Sequence, residues 1–247
     1  MAYTYQVPEK FRWFHDAKYG VFIHWGAYAA FEKGEQVLFR EHMEQAEYEK
    51  TARAWNPVKY NADEWAETFV KSGFKYACLT TKHHDGYCLW DTKTTDYNSM
   101  AQAPKRDLVR EYVDAMRRHG IKVGLYYSWC DWRKPAYYEG PEKNPEGFAE
   151  VKIYIRDQIM ELMTNYGKID YLFFDGTWPR FADEIGTVEI VKEIRELQPG
   201  IIINNRLGFR GNQEEIDKYG GLADEGDFGT PEQNVFPQDR LWQSCQT

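Results

Sequence analysis

Short apolar runs alternate with longer amphipathic segments along the chain, and the two patterns predict different elements. Five runs are apolar without the every-other-residue alternation of a half-exposed strand, so they predict strands buried on both faces. These strands are predicted at residues 19–26, 75–86, 121–129, 168–176 and 201–206. Apolar residues at helical spacing predict the intervening helices at residues 61–74, 106–120, 148–167 and 187–200. This order is typical of an α/β protein with a parallel sheet.

Polar side chains follow the predicted strands, and their distribution distinguishes between two α/β architectures. They are His24, His83, His84, Tyr126, Tyr127, Asp175, Asn204, Asn205 and Arg206. A (β/α)8 (TIM) barrel gathers the carboxyl ends of all its strands on one face, where barrel enzymes carry out their chemistry. A doubly wound sheet collects such residues only at its switch point, usually with a glycine-rich phosphate loop, and no such loop motif occurs here. The sequence therefore predicts an α/β protein with a (β/α)8-like TIM barrel.

The number of predicted strands is smaller than a complete barrel needs. Residues 225–232 and 241–247 could add two strands to the five, which leaves the eighth strand unaccounted for. We therefore expect one catalytic barrel domain over residues 1–247, truncated before its last strand.

Composition and charge narrow the classes of partner. The net charge is −8 and no block of basic residues occurs, which argues against a nucleic-acid partner. No run is long enough for a membrane span, and the N-terminus lacks the pattern of a signal peptide. With four cysteines that show no CxxC spacing, this predicts a cytoplasmic protein, or a periplasmic or secreted one if a leader was removed. Nine Trp, eighteen Tyr and fourteen Phe favour a cleft whose rings stack on a polar, ring-shaped ligand.

Two carboxylates are candidates for glycosidic chemistry, which uses a pair of them. Asp175 follows four apolar or aromatic residues, and a carboxylate there is costly to bury unless it is paired or functional. A turn or helix-capping aspartate is the alternative interpretation. The acidic segment 224–234 offers a second carboxylate, and Glu232 is favoured because it ends a short aromatic-containing run.

Histidines at the strand ends allow a different interpretation, a divalent metal site. His24, His83 and His84, with Asp85 and Asp175, carry the ligand atoms that such a site needs. Hydrogen-bonded histidines at strand ends are the plainer alternative. Aromatic neighbours favour a stacking cleft over a metal cage; they are Trp25, Trp129, Trp132 and Trp178. Because adjacent strand residues face opposite ways, His83 and His84 can reach one ligand only if their strand has already ended.

Four long, ordered segments resemble the α-L-fucosidases of glycoside hydrolase family 29. They are WFHDAKYGVFIHWG, DEWAETFVKSGFKYACLTTKHHDGYCLWDTKTTDYNS, KVGLYYSWCDW and YLFFDGTWP, and the resemblance runs from about residue 8 to the C-terminus. It implies a retaining exo-glycosidase on a (β/α)8-like barrel, without a cofactor or metal. Its partner would be a fucosylated glycan or glycoside. Members usually continue into a β-sandwich, which is absent from this sequence.

The resemblance also implies roles for individual residues. Asp175 matches the nucleophile, and Glu232 matches the acid/base, with Glu225 in reserve. The tyrosine of the family's YYS motif falls on Tyr126 or Tyr127, and Tyr127 is chosen for its nearness to the strand end. The remaining predicted sugar-binding residues are His24, Trp25, Glu35, His83, His84, Trp178 and Arg206.

Three departures from the family pattern occur. A sugar-contacting Glu-Trp pair of the family, which forms one wall of the pocket, is Glu35-Gln36 here, and Phe173 and Phe174 stand where some relatives carry Trp. In the segment LWQSC, where many members have Trp-Glu, this chain has Gln243. The functional hypothesis is an exo-acting retaining α-L-fucosidase. A fucose-binding barrel fragment without turnover is the first alternative, and a histidine-dependent metallohydrolase is the second. Linkage, aglycone preference and oligomeric state, including a homo-oligomer, stay open.

Overall fold

The computed structural model describes residues 7–224 and 226–231 of the 247-residue chain. In this part, five parallel strands form one sheet in the order β1-β2-β3-β4-β5. The strands are β1 Gly20–Ile23, β2 Tyr76–Lys82, β3 Lys122–Ser128, β4 Tyr171–Asp175 and β5 Ile202–Ile203. Each strand pairs with the next along the chain, which is the arrangement of a barrel wall. All five predicted strands are confirmed, although each is shorter than predicted.

Helices connect the strands, and a 3-10 helix (Ala27–Phe31) follows β1. The α-helices in the described part are α1 Glu9–Ala17, α2 Val37–Arg40, α3 Gln45–Ala54, α4 Ala62–Lys71, α5 Leu108–Arg118, α6 Pro135–Lys143, α7 Pro145–Asn165, α8 Ala182–Ile185, α9 Thr187–Leu197, α10 Gln213–Tyr219 and α11 Gly221–Asp224. The four predicted helices correspond to α4, α5, α7 and α9. Asn61 caps α4 as predicted, because its side chain accepts hydrogen bonds from the Asp63 and Glu64 amides.

The two faces of the sheet pack against different parts of the molecule. Successive side chains of a strand face opposite ways, so alternate residues share a face. One face packs against the helices and belongs to the larger core; its residues include Ala77, Leu79, Val123, Leu125, Leu172, Phe174 and Ile203. The other, inner face forms a smaller aromatic cluster, with strand residues Cys78, Tyr126, Tyr171, Phe173 and Ile202.

Helix α1 and Phe228 cover the inner face. The Phe14 ring lies 6.1 Å from that of Tyr171 and 5.1 Å from that of Phe228. Asp227 holds this cover in place, because its carboxylate accepts hydrogen bonds from Lys10 Nζ (2.8 Å), Arg195 (2.9 Å) and the Ile203 amide (3.0 Å). A single parallel bridge joins Phe228 to Asn204 within the strand predicted at 225–232. The strand predicted at 241–247 lies outside the described residues.

A membrane span was not expected, and no helix among residues 7–224 and 226–231 combines the length and apolar character to cross a bilayer. The described cysteines Cys78, Cys88 and Cys130 are buried free thiols.

Candidate active site

Asp175, the last residue of β4, is the centre of a polar cluster at the carboxyl ends of the strands. Its side chain is 13% exposed. One carboxylate oxygen accepts a hydrogen bond from Arg206 Nη1 at 2.8 Å, and the other accepts one from the Tyr126 hydroxyl at 3.1 Å. His84 Nε2 lies 3.8 Å from the second oxygen. A nearly buried carboxylate needs such partners, and the two donors also fix its orientation.

Arg206, three residues after β5, links Asp175 to the chain around Thr230. Its Nε donates to Thr230 Oγ1 at 3.1 Å and its Nη2 to the Thr230 carbonyl oxygen at 3.2 Å. The guanidinium is planar, so contacts on two sides hold it in one orientation. Glu232 and its reserve Glu225 lie outside the described residues, and their assignment as acid/base stays a prediction.

The paired histidines lie just beyond the end of β2. This strand ends at Lys82, and the Gly86 amide donates to the His83 carbonyl oxygen at 3.0 Å, which closes a tight turn. The two imidazole rings are 4.1 Å apart. His84 Nδ1 is 2.8 Å from Ser128 Oγ, and His83 stacks on Tyr126 at 5.5 Å. Because the strand ends before His83, as the sequence required, both histidines can face the same ligand.

Burial makes both of these histidines hard to protonate. It lowers the pKa of His84 from 6.5 to about 4, although the nearby Asp175 charge acts in the opposite direction. Burial, followed by the neighbouring His84 and His24, places the pKa of His83 well below its usual range. His83 Nδ1 is buried without a hydrogen-bond partner among the described residues. Neutral imidazoles can both donate and accept hydrogen bonds, which suits them to hydroxyl groups.

His24 joins this cluster from β1. Its ring is 5.6 Å from His83 and 5.8 Å from Tyr126, and it stacks on Phe22 at 4.8 Å. The side chain is exposed, in contrast to the buried pair. Three histidines from two strand ends and a tyrosine from a third therefore lie together near Asp175.

Tyr127 is not part of this cluster, so its choice over Tyr126 was wrong. The Tyr127 hydroxyl accepts a hydrogen bond from Lys82 Nζ at 3.0 Å and donates one to Gln158 on α7 at 2.9 Å. Strand alternation is the reason, since Tyr126 belongs to the inner face of β3 and Tyr127 to the helix-packed face. Nearness to the strand end was the less informative criterion.

Trp25, also predicted to contact sugar, does not join this cluster either, and the reason is the same. Its ring packs within about 5 Å of three aromatic rings on the helix-packed side, those of Trp55, Tyr60 and Trp65. His24, one residue earlier, takes the inner face. In the HWG motif the histidine reaches the cluster and the tryptophan supports the core.

Glu35 and Trp178 lie close to His84. The negative charge of Glu35 raises the pKa of His84 and so partly offsets the effect of burial, which lowers that pKa. The Trp178 ring lies 5.3 Å from the His84 ring and is 55% exposed. Both predicted residues are therefore at the rim of the cluster.

A buried charge network behind the histidines went unnoticed in the sequence. Lys82 is fully buried, and burial lowers its pKa while the negative charge of Asp131 opposes that effect. Asp85 accepts a hydrogen bond from the Tyr48 hydroxyl at 2.7 Å, and burial raises the pKa of Asp85 to about 7. A register shift between Thr80 and Lys82 turns Lys82 to the helix-packed face beside Tyr127, so alternation along the chain gave no signal for it.

The comparison with known proteins decides the family. The α-L-fucosidase family model matches residues 4–247. The chain belongs to the α-L-fucosidase family.

Relatives of this fucosidase-family chain include solved structures from two bacteria. The α-L-fucosidase isoenzyme 1 from Paenibacillus thiaminolyticus is 40% identical, with a TM-score of 0.83 over 95% of this chain and 57% of that one. An α-L-fucosidase from Bacteroides thetaiotaomicron, trapped as a covalent intermediate, is 29% identical, with a TM-score of 0.82 over 94% of this chain and 56% of that one. The tissue α-L-fucosidase of Bos taurus is 32% identical, and the match covers 94% of this chain and 52% of the bovine protein.

These comparisons confirm the predicted fold class, an α/β protein of the (β/α)8 TIM-barrel kind. The chain spans about half the length of the curated fucosidase relatives that it matches.

A metal site, the alternative interpretation of the histidines, requires several ligands close together. The described part of the chain contains no such group. No three His, Cys, Asp or Glu side chains there are arranged to hold a metal ion. Asp85, one of the proposed ligands, is instead hydrogen-bonded to Tyr48.

Proposed function

We propose that this chain is the catalytic part of an exo-acting, retaining α-L-fucosidase that removes terminal α-L-fucose from glycans or glycosides. The observation that carries the proposal is the carboxylate of Asp175, held by Arg206 and Tyr126 close to the buried, neutral His84. Membership in the α-L-fucosidase family supports the substrate. The trapped covalent intermediate of the Bacteroides thetaiotaomicron relative supports the two-step course.

In the first step, an Asp175 oxygen forms a bond to the anomeric carbon while the glycosidic carbon–oxygen bond breaks. The departing oxygen takes a proton from the acid, for which we propose Glu232. In the second step, water attacks the anomeric carbon, its proton passes to Glu232, and the bond to Asp175 breaks. Arg206 and Tyr126 would hold the carboxylate correctly oriented for attack.

Glu232 gains support from its neighbour in the chain. Thr230 contacts the guanidinium of Arg206 through its hydroxyl and its carbonyl oxygen, and the same guanidinium contacts Asp175. Thr230 precedes Glu232 by two residues. A retaining mechanism requires the two carboxyl groups about 5–5.5 Å apart, which is within reach of a segment anchored in this way.

The histidines supply recognition of the sugar. His83 and His84 are neutral at pH 7 because burial lowers their pKa values. Since Nδ1 of His84 is paired with Ser128 Oγ, His84 would offer Nε2 to a sugar hydroxyl. His24 and Glu35 would add contacts at the rim.

The nucleophile is tested with Asp175→Asn and 4-nitrophenyl α-L-fucoside. Turnover should disappear while the circular-dichroism spectrum is unchanged, because the amide is a much poorer nucleophile. Asp183→Asn is the matched control, since Asp183 pairs with Arg210 away from the cluster and should leave the rate unchanged. Trapping the wild type with 2-fluoro-fucosyl fluoride should release fluoride and add the mass of one 2-fluoro-fucosyl group to the Asp175 peptide. Wild-type activity in Asp175→Asn would refute the assignment, and fucose binding without any wild-type turnover would favour the non-catalytic alternative.

The acid/base is tested with Glu232→Ala and Glu225→Ala. Loss of the acid should slow fucosides with poor leaving groups far more than those with activated leaving groups, and azide should restore the second step. We expect this pattern for Glu232→Ala only. The same pattern in Glu225→Ala instead would transfer the role to Glu225.

A further inference from the structure

A row of aromatic rings leads from the active-site histidine to the protein surface. The Trp132 ring lies 5.5 Å from that of His84, and the Phe39 ring lies 6.1 Å from that of Trp132. On another side of His84 lies Trp178, at 5.3 Å. Phe39 is 66% exposed and Trp178 is 55% exposed. Phe39 and Trp178 are therefore open to solvent, and Trp132 lies between Phe39 and His84.

The fold does not need Phe39 in this exposed position. Its helix α2 is attached to the core by Val37 and Leu38, which are 1% and 7% exposed, while Phe39 faces away from them. Exposed single apolar residues are common, but Phe39 is paired with Trp132 and is continuous with the catalytic cluster. The pair therefore places an exposed aromatic ring two ring contacts away from the catalytic histidine.

We propose that Phe39 and Trp132 form a stacking platform for the sugar ring to which the fucose is attached. This inference rests on the proposed fucosidase function, because it needs a fucosyl residue bound at Asp175. A sugar that reacts at Asp175 must extend its leaving group from the buried site toward solvent, and the rings of Trp132 and Phe39 lead from His84 to the surface. The pyranose of that leaving group has an apolar C–H face, which matches an exposed aromatic ring. The platform would make a second sugar, rather than the fucose alone, part of the recognised substrate.

The platform is tested by calorimetric binding in an Asp175→Asn background, which prevents turnover. The probes are methyl α-L-fucoside and the α-linked fucosyl disaccharides of N-acetylglucosamine and of galactose. At least one disaccharide should bind more tightly than the methyl fucoside. Phe39→Ala should reduce that gain roughly threefold to tenfold, the scale of one aromatic contact, and leave the affinity for methyl fucoside unchanged. Phe39→Trp should keep the gain, because it keeps a ring at this position.

Tyr19→Ala is the matched control. Tyr19 is also an exposed aromatic residue, at 55%, but it precedes β1 and so lies at the opposite end of the strands from Asp175. It should leave both affinities unchanged.

The outcomes separate the platform from the function on which it rests. If methyl fucoside binds and the disaccharide gain survives in Phe39→Ala, or no disaccharide shows a gain, the platform is refuted and the fucose site stands. If Phe39→Ala weakens both probes equally, the ring acts on the fucose site and the platform is again refuted. If no fucoside binds at all, the proposed function fails and the platform with it. A Phe39→Ala protein that changes from dimer to monomer in sedimentation would identify the ring as a subunit contact instead.

Discussion

Tyr126 and Tyr127 are adjacent in β3 but make different contacts. Tyr126 donates to the Asp175 carboxylate, whereas Tyr127 lies between Lys82 and Gln158 on the opposite face of the sheet. Both rings are fully buried, so burial does not distinguish them. The direction of the side chain decides, and strand geometry fixes that direction.

The adjacent tyrosines allow a paired test by removal of one hydroxyl each. Tyr126→Phe should lower kcat/KM for an aryl fucoside about tenfold to a hundredfold, since a hydrogen bond to a charged group is worth about 1.5–3 kcal/mol. Tyr127→Phe should keep the rate and lower the free energy of unfolding by about 1–3 kcal/mol, because it leaves buried polar groups without a partner. Steady-state kinetics and urea denaturation measure the two effects. Equal loss of activity in both variants would contradict the assignment.

His84 offers a test of electrostatics at a single ring. Burial lowers its pKa from 6.5 to about 4, and the negative charge of Asp175 limits the decrease. The imidazole should therefore stay neutral from about pH 5 upward in a carbon-13 NMR titration. Asp175→Asn removes the opposing charge and should lower the pKa further, whereas Asp183→Asn should not change it. Titration of His84 near its ordinary value would show that the ring is hydrated instead of buried.

At the scale of elements, the turn after β2 positions the histidines through a glycine. Gly86 has a φ of +79°, and a Cβ atom there would lie 2.4 Å from the Asp131 carboxylate. Asp131 is held by the Tyr154 hydroxyl at 2.9 Å and the Arg133 amide at 2.9 Å. A side chain at residue 86 therefore has no free space and an unfavourable backbone conformation as well.

Gly86→Ala and Gly73→Ala separate these two effects. Gly73 has a similar φ of +85° but nothing within 4 Å of an added Cβ, so its substitution should cost only the left-handed strain, about 1–2 kcal/mol of unfolding free energy. Gly86→Ala should cost about 1–3 kcal/mol more through overpacking, and should also lower kcat because the histidines shift. Guanidinium denaturation and aryl-fucoside kinetics give both quantities. Equal stability of the two variants would mean that the turn can move aside.

For the whole molecule, helix α1 is part of the core although it precedes the first strand. Phe14 is 6% exposed and contacts rings from two strands and from Phe228. Phe14 thereby packs helix α1 against the segment that contains Phe228 and Thr230, and Thr230 contacts Arg206. The inner face of the sheet depends on this helix for its cover.

Phe14→Ala should therefore destabilise the whole domain. A buried phenylalanine replaced by alanine costs about 3–5 kcal/mol of unfolding free energy, because the apolar contact is lost and a cavity remains. Val58→Ala is the control, since Val58 is 76% exposed and its substitution should change stability by less than about 0.5 kcal/mol. Thermal and urea unfolding provide the comparison. A small effect of Phe14→Ala would mean that α1 packs loosely on the sheet.

The sequence by itself determined the five strands, the four helices α4, α5, α7 and α9, the family and the identity of the central carboxylate. These follow from local information: apolar periodicity, helix caps, and motifs long enough to be specific, such as the segment that contains Asp175. The polar residues at the strand ends also indicated which edge of the sheet carries the chemistry.

Only the tertiary structure decided which of two adjacent side chains reaches the site. Tyr126, not Tyr127, contacts Asp175, and His24, not Trp25, lies beside His83. Both outcomes depend on the register of a strand against its neighbours. The exposed ring of Phe39 and the buried Lys82 likewise have no local signature, since burial is set by residues distant in the chain. Sequence patterns report periodicity along one segment, whereas a site is made where several segments meet.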